Sequence, residues 1–442
     1  MMQAYRLMLS LVVLVIGVSS AHGQTITEDM KVQSLGASSD AFGIAMDYDD
    51  GLFVVGASSD SEQGPLAGAA YLVDATTGDI LTKLLPDTLA PYLNRNFGRQ
   101  VAIDNGIVAV SSPGEDNRIG AVYLFDAMTG DQLVRIHPED GLSSDSFGLR
   151  GIAMKNGRLA VCSESQLPGG HIGAVYLYDV ATAGLLTKIT QAVDPSQGLF
   201  GSSVSMDDSL IAVGAFALPR NNFPDSVATV TLYDLDGNFV REIVEPDPGS
   251  RDGFGEAVSI EGDVVVASRD LEREVYIYHA PTGALVHTIE PFDLLNTKEF
   301  GKSLTLSGGI LAVGAPQSFV DGVHRSGMVY LYDTASGDAI WRLVPSDTGN
   351  SKYFGYSTAF GDNVVLCGAF QDSSAYWFNM GFDCPVDYVE DLRQDIFDVF
   401  AFLDLFSAQD PAADFTNDGA WDVFDVFAFI DIYQSTCQNA AP

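Results

Sequence analysis

The sequence is poor in basic residues. It contains 22 lysines and arginines against 59 aspartates and glutamates, and its formal net charge at pH 7 is −37. A surface this acidic repels the phosphates of nucleic acids and the headgroups of acidic membranes. We therefore expect no nucleic acid partner. Because 47% of the residues are hydrophobic, the composition is that of a folded rather than a disordered chain.

Recognisable catalytic motifs are also missing from the sequence. It contains no nucleophile elbow, no HExxH zinc motif, no P-loop and no GxGxxG at a strand–helix junction. His171 and His324 fall in loops between predicted strands, where a single histidine is usually a polar surface residue. No spacing among the 59 acidic residues marks a catalytic pair. The sequence thus indicates no particular reaction, and catalysis by a carboxylate pair stays open.

A long hydrophobic run occurs only at the N-terminus. Arg6 directly precedes the run LMLSLVVLVIGV, and the small residues AHG lie just before Gln24. This is the pattern of a signal peptide cleaved near Gly23–Gln24. A retained membrane helix is the alternative, but about a dozen apolar residues are short of the roughly 20 that a span needs. We interpret residues 1–23 as a signal peptide and expect a secreted or cell-surface protein that is not membrane-spanning.

One pattern fills residues 30 to 380. A Phe-Gly pair recurs every 46 to 55 residues. The seven pairs begin at Phe42, Phe97, Phe147, Phe200, Phe254, Phe300 and Phe354. Each pair introduces four short apolar or alternating runs, such as ILAVGAP for the second and GAVYLYD for the third. Runs of this length and period predict β-strands.

Tight turns join the first and second runs of each repeat. Several contain Asn-Gly, as in IDNGI and MKNGR, which supplies the two positive-φ residues of a type I′ hairpin. Four antiparallel strands in each of seven repeats predict an all-β fold, a seven-bladed β-propeller. A string of β-sandwiches and an open β-solenoid are the alternatives. Seven matched periods argue against the first, and ring closure argues against the second.

Ring closure is predicted from the two ends of the repeat region. The seventh repeat stops at AYWFNMG without a fourth run, whereas a spare run, EDMKVQSLGA, precedes Phe42. We predict that residues 30–35 supply the fourth strand of blade 7. This closure removes the exposed sheet edges of an open array. The propeller domain then spans residues 24–381.

Cysteine is also rare, with four residues in the chain. Cys162 and Cys367 lie in strand-like runs three blades apart, whereas a disulfide needs Cα atoms within ~7 Å. We expect these two to be buried free thiols. Cys384 and Cys437 bracket an acidic C-terminal segment. Because secreted proteins favour disulfides, we predict that Cys384 and Cys437 pair.

The Phe-Gly pairs and runs such as ILAVGAP resemble the FG-GAP repeats of the integrin α-subunit propeller. The resemblance covers roughly residues 30–380 and implies the same seven-bladed fold. Several integrin repeats carry a DxDxDG calcium loop between strands one and two. Here the corresponding turns are short hairpins, and the nearest case, MDYDDGL, has the length of the others. We therefore expect a turn, and no calcium site, at residues 46–52.

The variable loops between the second and third runs are the candidate ligand site. We expect them to cluster on one face with the loops that follow the fourth runs, because binding residues often lie on loops of a rigid scaffold. The two longest are FALPRNNFPDS and PQSFVDGVHRS. Their candidate ligand-face residues are Arg220, Phe223, Phe319, His324 and Arg325. The expected ligand is an extracellular protein or a glycan.

Two acidic segments in residues 382–442 have the spacing of a twelve-residue calcium loop, with ligands at positions 1, 3, 5, 7, 9 and 12. In DFTNDGAWDVFD the ligands are Asp414, Thr416, Asp418, the carbonyl of Ala420, Asp422 and Asp425. In DYVEDLRQDIFD the available carboxylates are Asp387, Asp391, Asp395 and Asp398. This earlier loop has Val389 at position 3 and Leu392 where the other has Gly419. We predict that Ca²⁺ binds the later loop, and that the earlier one is weak or only a solvated charge run.

Each acidic loop leads into an apolar run, IFDVFAFLDLF or VFDVFAFIDIY, which predicts two short helices that pack on each other. The paired units, with Asp at position 12, resemble a dockerin module, and the flanking cysteines resemble the tails of planctomycete-type secreted proteins. The resemblance implies attachment to a cohesin-like or cell-envelope anchoring protein. Positions 10 and 11, usually polar in cohesin-binding dockerins, are here Val423 and Phe424, which argues against a standard cohesin.

Two functions are compatible with this organisation. The sequence favours a secreted, non-enzymatic binding or adhesion propeller that is displayed through a calcium-dependent tail. The alternative is a polysaccharide-active enzyme, a glycoside hydrolase or lyase, because dockerin modules usually carry such enzymes. Release of sugar ends by the protein would distinguish the second from the first.

Overall fold

The chain forms a seven-bladed β-propeller followed by a small helical segment in the C-terminal region, as the repeat predicts. The structure, a computed structural model, describes residues 24–36, 39–87, 94–164, 166–167, 170–171, 173–190, 199–216, 228–246, 253–269, 273–362, 364–380, 396–416 and 419–435. The predicted signal peptide, residues 1–23, lies outside these ranges. No helix in the described ranges has the length and hydropathy to cross a membrane.

The first four blades each contain four antiparallel strands in chain order. Blade 1 consists of Phe42–Asp49, Leu52–Ala57, Ala69–Asp74 and Ile80–Leu84. Blade 2 consists of Val101–Asp104, Ile107–Ser112, Ala121–Asp126 and Gln132–Ile136. Blade 3 consists of Ile152–Lys155, Arg158–Ser163, Ala174–Asp179 and Leu185–Thr190. Blade 4 consists of Leu199–Met206, Leu210–Phe216, Thr229–Asp234 and Phe239–Val244.

The remaining blades complete the ring. Blade 5 consists of Phe254–Glu261, Val264–Arg269, Glu274–His279 and Ala284–Ile289. Blade 6 consists of Leu304–Ser307, Ile310–Ala315, Met328–Asp333 and Ala339–Val344. Blade 7 begins with Ser357–Phe360, Val364–Ala369 and Ser374–Asn379. Short elements in the loops are Glu115–Arg118, Gln166–Leu167, Gly170–His171 and Phe370–Asp372.

The N-terminal segment closes the ring. Met30–Gln33 pairs antiparallel with Ser374–Asn379 and is the fourth strand of blade 7, which confirms the predicted closure. The preceding strand, Gln24–Thr27, adds to blade 6 as a fifth strand, parallel to Ala339–Val344. The sequence did not predict this second pairing. One short segment therefore joins two neighbouring blades.

The Phe-Gly pair fastens each blade to its neighbour, as blade 2 illustrates. Phe97 is fully buried and packs edge-to-face on Tyr123 of the third strand, with ring centroids 5.6 Å apart. Gly98 has φ +82°, and a Cβ there would lie 2.0 Å from the carbonyl oxygen of Ala69 in blade 1. Both the left-handed backbone and this close approach require glycine. The repeat spacing is thus the spacing of contacts between blades.

In blades 1, 2, 3, 5 and 6 the turn between strands one and two is the predicted two-residue hairpin, whereas the two strands are three residues apart in blades 4 and 7. Asn105 and Gly106 have φ values of +50° and +73°, and Asp50 and Gly51 have +41° and +81°, as a type I′ turn requires. The segment MDYDDGL is therefore a hairpin. Cys162 and Cys367 are buried free thiols, as predicted, and burial raises the pKa of both.

The C-terminal region contains the two predicted helices, α1 (Ile396–Ala408) and α2 (Val423–Ser435), with a 3₁₀ turn at Pro411–Ala413 between them. Phe402 of α1 stacks on Phe429 of α2, with ring centroids 4.0 Å apart. Together they form the centre of a small apolar core, which confirms that the helices pack on each other. Cys384 and Cys437 lie outside the described ranges, so their disulfide stays a prediction.

Candidate ligand site on the loop face

A repeated tyrosine–acid–base contact fixes the loops to the blades. In blade 1 the hydroxyl of Tyr71 donates to Asp60 Oδ2 at 3.0 Å, and Lys83 Nζ lies 2.7 Å from the same oxygen. Burial raises the pKa of Tyr71 to about 12, so its hydroxyl keeps its proton at neutral pH. Blades 2 and 3 repeat the arrangement with Tyr123, Glu115 and Arg135, and with Tyr176, Asp140 and Lys188. The acids belong to loops between strands two and three or after strand four, which together form the loop face. The contacts therefore tie this face to blades 1–3.

A pocket of about 300 Å³ opens on the loop face at blade 6. We call it the blade 6 pocket, and its lining residues are Lys298, Gln317, Phe319, His324, Arg325, Asn350 and Ser351. Three of the five predicted ligand-face residues, Phe319, His324 and Arg325, are therefore brought together. The volume is at the lower end of small-molecule sites. It suits one monosaccharide or one side chain of a partner.

Aromatic rings and cations alternate along the wall of the blade 6 pocket. The rings of Phe319 and His324 meet at a centroid distance of 4.5 Å, and Lys298 Nζ lies 4.6 Å from the Phe319 centroid. The guanidinium carbon of Arg325 lies 5.7 Å from the centroid of Tyr353. Both cations are within cation–π range. The wall can therefore offer a ligand both apolar ring surface and positive charge.

Three loops meet at the blade 6 pocket, and backbone hydrogen bonds hold them together. The amide of Phe319 donates to the carbonyl of Asn296 in the preceding loop at 2.8 Å. The amide of Ser351 in the following loop donates to the carbonyl of His324 at 3.1 Å. The pocket is thus set by the folded chain before any ligand arrives, which lowers the entropy cost of binding.

The blade 6 pocket is positively charged. Within the described residues, neither Lys298 nor Arg325 forms a salt bridge, and the lining contains no carboxylate. Glu299 lies beside it and accepts a hydrogen bond from Gln317. Burial raises the pKa of Glu299, an effect that the charges of Lys302 and Arg325 oppose. Glu299 therefore offsets part of the positive charge of Arg325, although the two form no salt bridge within the described residues.

An aromatic path leads from the pocket toward the centre of the ring. Tyr353 lies 5.5 Å from Phe370, and Phe370 lies 4.5 Å from Tyr356, measured between ring centroids. Lys302 Nζ lies 5.9 Å from the Tyr356 ring and 2.7 Å from Glu256 Oε1. We define Tyr353, Phe370 and Tyr356 as the aromatic path. A ligand longer than the pocket can contact these three rings.

The aromatic path ends at the central channel, a cavity of about 800 Å³ lined by the first strands of the blades. Arg99 and Arg150 line its loop-face end. Asp47 lies deeper, surrounded by strands although partly open to the channel, and its Oδ2 accepts from the Ile103 amide at 2.8 Å. Burial raises the pKa of Asp47 to about 7, although hydrogen bonds oppose the shift.

The later acidic loop in the tail brings its first and last carboxylates together. Asp425 is fully buried, and its Oδ1 accepts from both the amide and the hydroxyl of Thr416, at 3.0 and 2.9 Å. Its Oδ2 accepts from the Asp422 amide at 2.9 Å, and Asp414 Oδ2 accepts from the Gly419 amide at 2.9 Å. Burial opposes ionisation of Asp425, but its hydrogen bonds outweigh this effect and lower its pKa.

This oxygen-only donor set fits a hard cation such as Ca²⁺. The side chains of Asp414 and Asp425 also interact, so two acids converge where a loop-bound cation would neutralise them. Asp418 lies outside the described residues. Among the residues whose placement is given, no three acids, histidines or cysteines form a complete metal cluster. Calcium binding therefore stays a prediction.

Several predicted residues are not tested by the structure. Arg220 and Phe223 lie outside the described ranges, as do Asp387, Asp391 and Asp395 of the earlier acidic loop. The side chain of Asp398, at the start of α1, is likewise not described.

Sequence reasoning missed four residues of the pocket. Lys298, Asn350 and Ser351 come from loops that follow a fourth strand, and Gln317 comes from the loop PQSFVDGVHRS, which the sequence singled out. Each of the other loops ends at a Phe-Gly pair. Lys298 stands two residues before Phe300, and Ser351 three before Phe354. Their position shortly before a Phe-Gly pair places them in a loop of this face, and that is the signal that the sequence offered.

The chain matches no protein-family model and no curated protein. The likeness to FG-GAP repeats and to dockerins therefore stays a resemblance of motifs. What the protein does has to be inferred from the loop face and the tail.

Proposed function

We propose that the protein is a secreted, non-enzymatic binding or adhesion propeller that holds an extracellular ligand on the loop face of blades 6 and 7. The blade 6 pocket carries this proposal, because aromatic rings and cations are arranged there by hydrogen-bonded loops. Loops on a rigid scaffold are a usual place for binding. The aromatic path gives the ligand a route beyond the pocket.

The tail serves as the attachment module in this proposal. Ca²⁺ would be held by Asp414, Thr416, Asp418, the carbonyl of Ala420, Asp422 and Asp425. Binding of the cation relieves repulsion between the acids and fixes the start of α2. Phe424 and Phe427 expose 63% and 50% of their surface, which leaves apolar surface for a cohesin-like or cell-envelope anchoring protein.

Two assays on one preparation of the mature protein test the proposal. A glycan array together with immobilised envelope proteins measures retention, and a reducing-end assay on the same glycans measures cleavage. We expect retention without release of sugar ends. Phe319→Ala should abolish retention, whereas Phe239→Ala should not, because Phe239 is an exposed phenylalanine at the opposite end of a blade. Release of sugar ends, or an equal loss of retention in both variants, would contradict the proposal.

A further inference from the structure

The charge of the blade 6 pocket is opposite to that of the whole protein. The chain carries a net charge of −37, yet the seven lining residues include Lys298 and Arg325 and no carboxylate. Glu299 of the preceding loop accepts a hydrogen bond from Gln317 and interacts electrostatically with Arg325, and Asp321 is exposed in the same loop as Gln317. A positive pocket on so acidic a surface selects for ligands that carry negative charge.

Most other cations near the loop face are already paired. Lys83 bonds Asp60 and Glu62, and Lys302 bonds Glu256. In the described part of the chain Lys298 and Arg325 contact aromatic rings and form no salt bridge. Their N–H groups can therefore bond an incoming anion without first breaking an ion pair. Arginine in addition matches the two oxygens of a carboxylate or sulfate.

The rest of the lining matches a sugar. Gln317 and Asn350 carry amides and Ser351 a hydroxyl, the donors and acceptors that bond neighbouring sugar hydroxyls. Phe319 gives an apolar surface for the C–H groups of a pyranose ring. An acidic peptide would also pair with the cations, but it brings neither the C–H face of a pyranose for Phe319 nor neighbouring hydroxyls for the amides.

We propose that the ligand of the blade 6 pocket is an acidic polysaccharide, recognised through carboxylate or sulfate groups by Lys298 and Arg325. Phe319 supports the ring of the bound sugar, and the polar residues of the rim bond its hydroxyls. Adjacent sugars extend over Tyr353 and Phe370 toward the channel. The inference rests on the proposed function and names the ligand class.

Titration calorimetry of the mature full-length protein tests the inference with matched probes. Oligogalacturonate is compared with the same oligomer after methyl esterification, which keeps the sugars and removes the charge. Dextran sulfate is compared with dextran to separate sulfate from carboxylate recognition. Polyglutamate tests an acidic peptide. We expect at least one acidic glycan to bind about tenfold or more tightly than its neutral counterpart.

A variant pair tests the position. Lys298→Gln with Arg325→Gln should weaken binding of the acidic glycan about tenfold or more. Arg118→Gln is the matched control, because Arg118 and Arg325 both precede a glycine by two residues and have φ values of +66° and +53°. The control should bind within about twofold of the parent. Unchanged melting temperatures show that each variant is folded.

The outcomes separate the two proposals. Equal affinity for charged and neutral glycans, or tighter binding of polyglutamate, overturns the acidic-sugar class and leaves binding on the loop face intact. If the double variant and Arg118→Gln lose the same affinity for the acidic glycan, then the blade 6 pocket is not its binding site. If no glycan binds and Phe319→Ala also leaves retention of every arrayed protein unchanged, the proposed function itself fails.

Discussion

Lys31 lies directly opposite Tyr376 in blade 7, with its Nζ 5.0 Å from the ring centroid. Lys83 lies opposite Tyr71 in blade 1 at the same register position, with a distance of 5.5 Å. A strand from the N-terminal segment thus makes the cross-strand contact that a blade's own fourth strand makes. Lys31 Nζ also lies 2.7 Å from Asp347. The closing strand is therefore a full member of the ring.

Removal of residues 24–36 should destabilise the whole propeller. Blade 7 would lose its fourth strand, the contacts of Lys31 and the buried Val32, and an unpaired edge would be left in the ring. We expect the melting temperature in a calorimetric scan to fall by about 10 °C or more. Removal of residues 24–27 alone should have a smaller effect, because that strand adds to a blade that already has four. If the shortened protein melts at the same temperature as the parent, then residues 24–36 are not needed to close the ring.

Gly98→Ala should destabilise the propeller far more than Gly106→Ala. Both glycines have positive φ, +82° and +73°, so both substitutions carry a similar backbone cost of about 1 kcal/mol. Only Gly98 would place the new Cβ 2.0 Å from the carbonyl oxygen of Ala69, while Gly106 has nothing within 4 Å. The clash should add about 1–3 kcal/mol or more. Denaturant unfolding of both variants measures the difference, and equal destabilisation would contradict a packing role for the pair.

The fold was predictable because its decisive contacts recur along the chain. In each repeat the phenylalanine of the Phe-Gly pair packs on a third-strand tyrosine and the glycine lies against the preceding blade, so seven copies of the pair reveal the period. The missing fourth run and the spare N-terminal run then give the closure. The parallel strand Gln24–Thr27 was not predictable, because it lies outside the repeat and pairs at a blade edge.

The candidate site was predictable only in part. Phe319, His324 and Arg325 were found because one long loop stands out from the repeat. Lys298 and Ser351 were missed, because their loops differ in length and they reach the pocket only through hydrogen bonds between loops. Sequence alone also gave no sign that Arg325 would lie on Tyr353 rather than beside a carboxylate.

Asp47→Asn should stabilise the protein at high pH. The pKa of Asp47 is about 7 in the folded chain, whereas an aspartate in an unfolded chain has a pKa of 3.8. Because the folded pKa is the higher one, the protonated form favours folding, and this stabilisation is lost as the pH rises from about 4 through 7. Asparagine mimics the protonated form and keeps an oxygen for the Ile103 amide. We expect equal stability near pH 4 and a gain of about 1–2 kcal/mol at pH 8, since channel solvent reduces the full effect.

Asp50→Asn is the control for that experiment. It removes the same charge from an exposed turn residue of the same hairpin, and urea unfolding at both pH values should show little change. If both variants gain equally at pH 8, reduced net charge rather than the burial of Asp47 is the cause.

Cys384 and Cys437 should form a disulfide in secreted material. The two residues flank the helical segment whose core joins Phe402 and Phe429, so a bond would tie its ends. Peptide mapping without reduction should find them in one linked peptide, while Cys162 and Cys367 react with thiol reagents only after unfolding because both are buried. Recovery of Cys384 and Cys437 as free thiols would rule out the bond.

Calcium should stabilise the tail and leave the propeller nearly unchanged. Asp414 and Asp425 converge in the later loop, so a cation between them removes their repulsion and fixes the start of α2. A ligand that binds only the folded form stabilises it by about 4 kcal/mol at a thousandfold excess over Kd. A calorimetric scan with calcium and then with chelator should show one transition that shifts and one that does not.

Variants of the later loop decide whether the shift arises there. Asp414→Ala and Asp425→Ala should each lose the calcium-dependent shift. Asp404→Ala removes an exposed carboxylate from α1 and should keep it. Asp387→Ala should have a small effect, because its loop lacks a side-chain oxygen at position 3 and the glycine at position 6. If chelator lowers the melting temperature of a chain that ends at Gly381, then a propeller site binds the metal and the assignment to the tail is wrong.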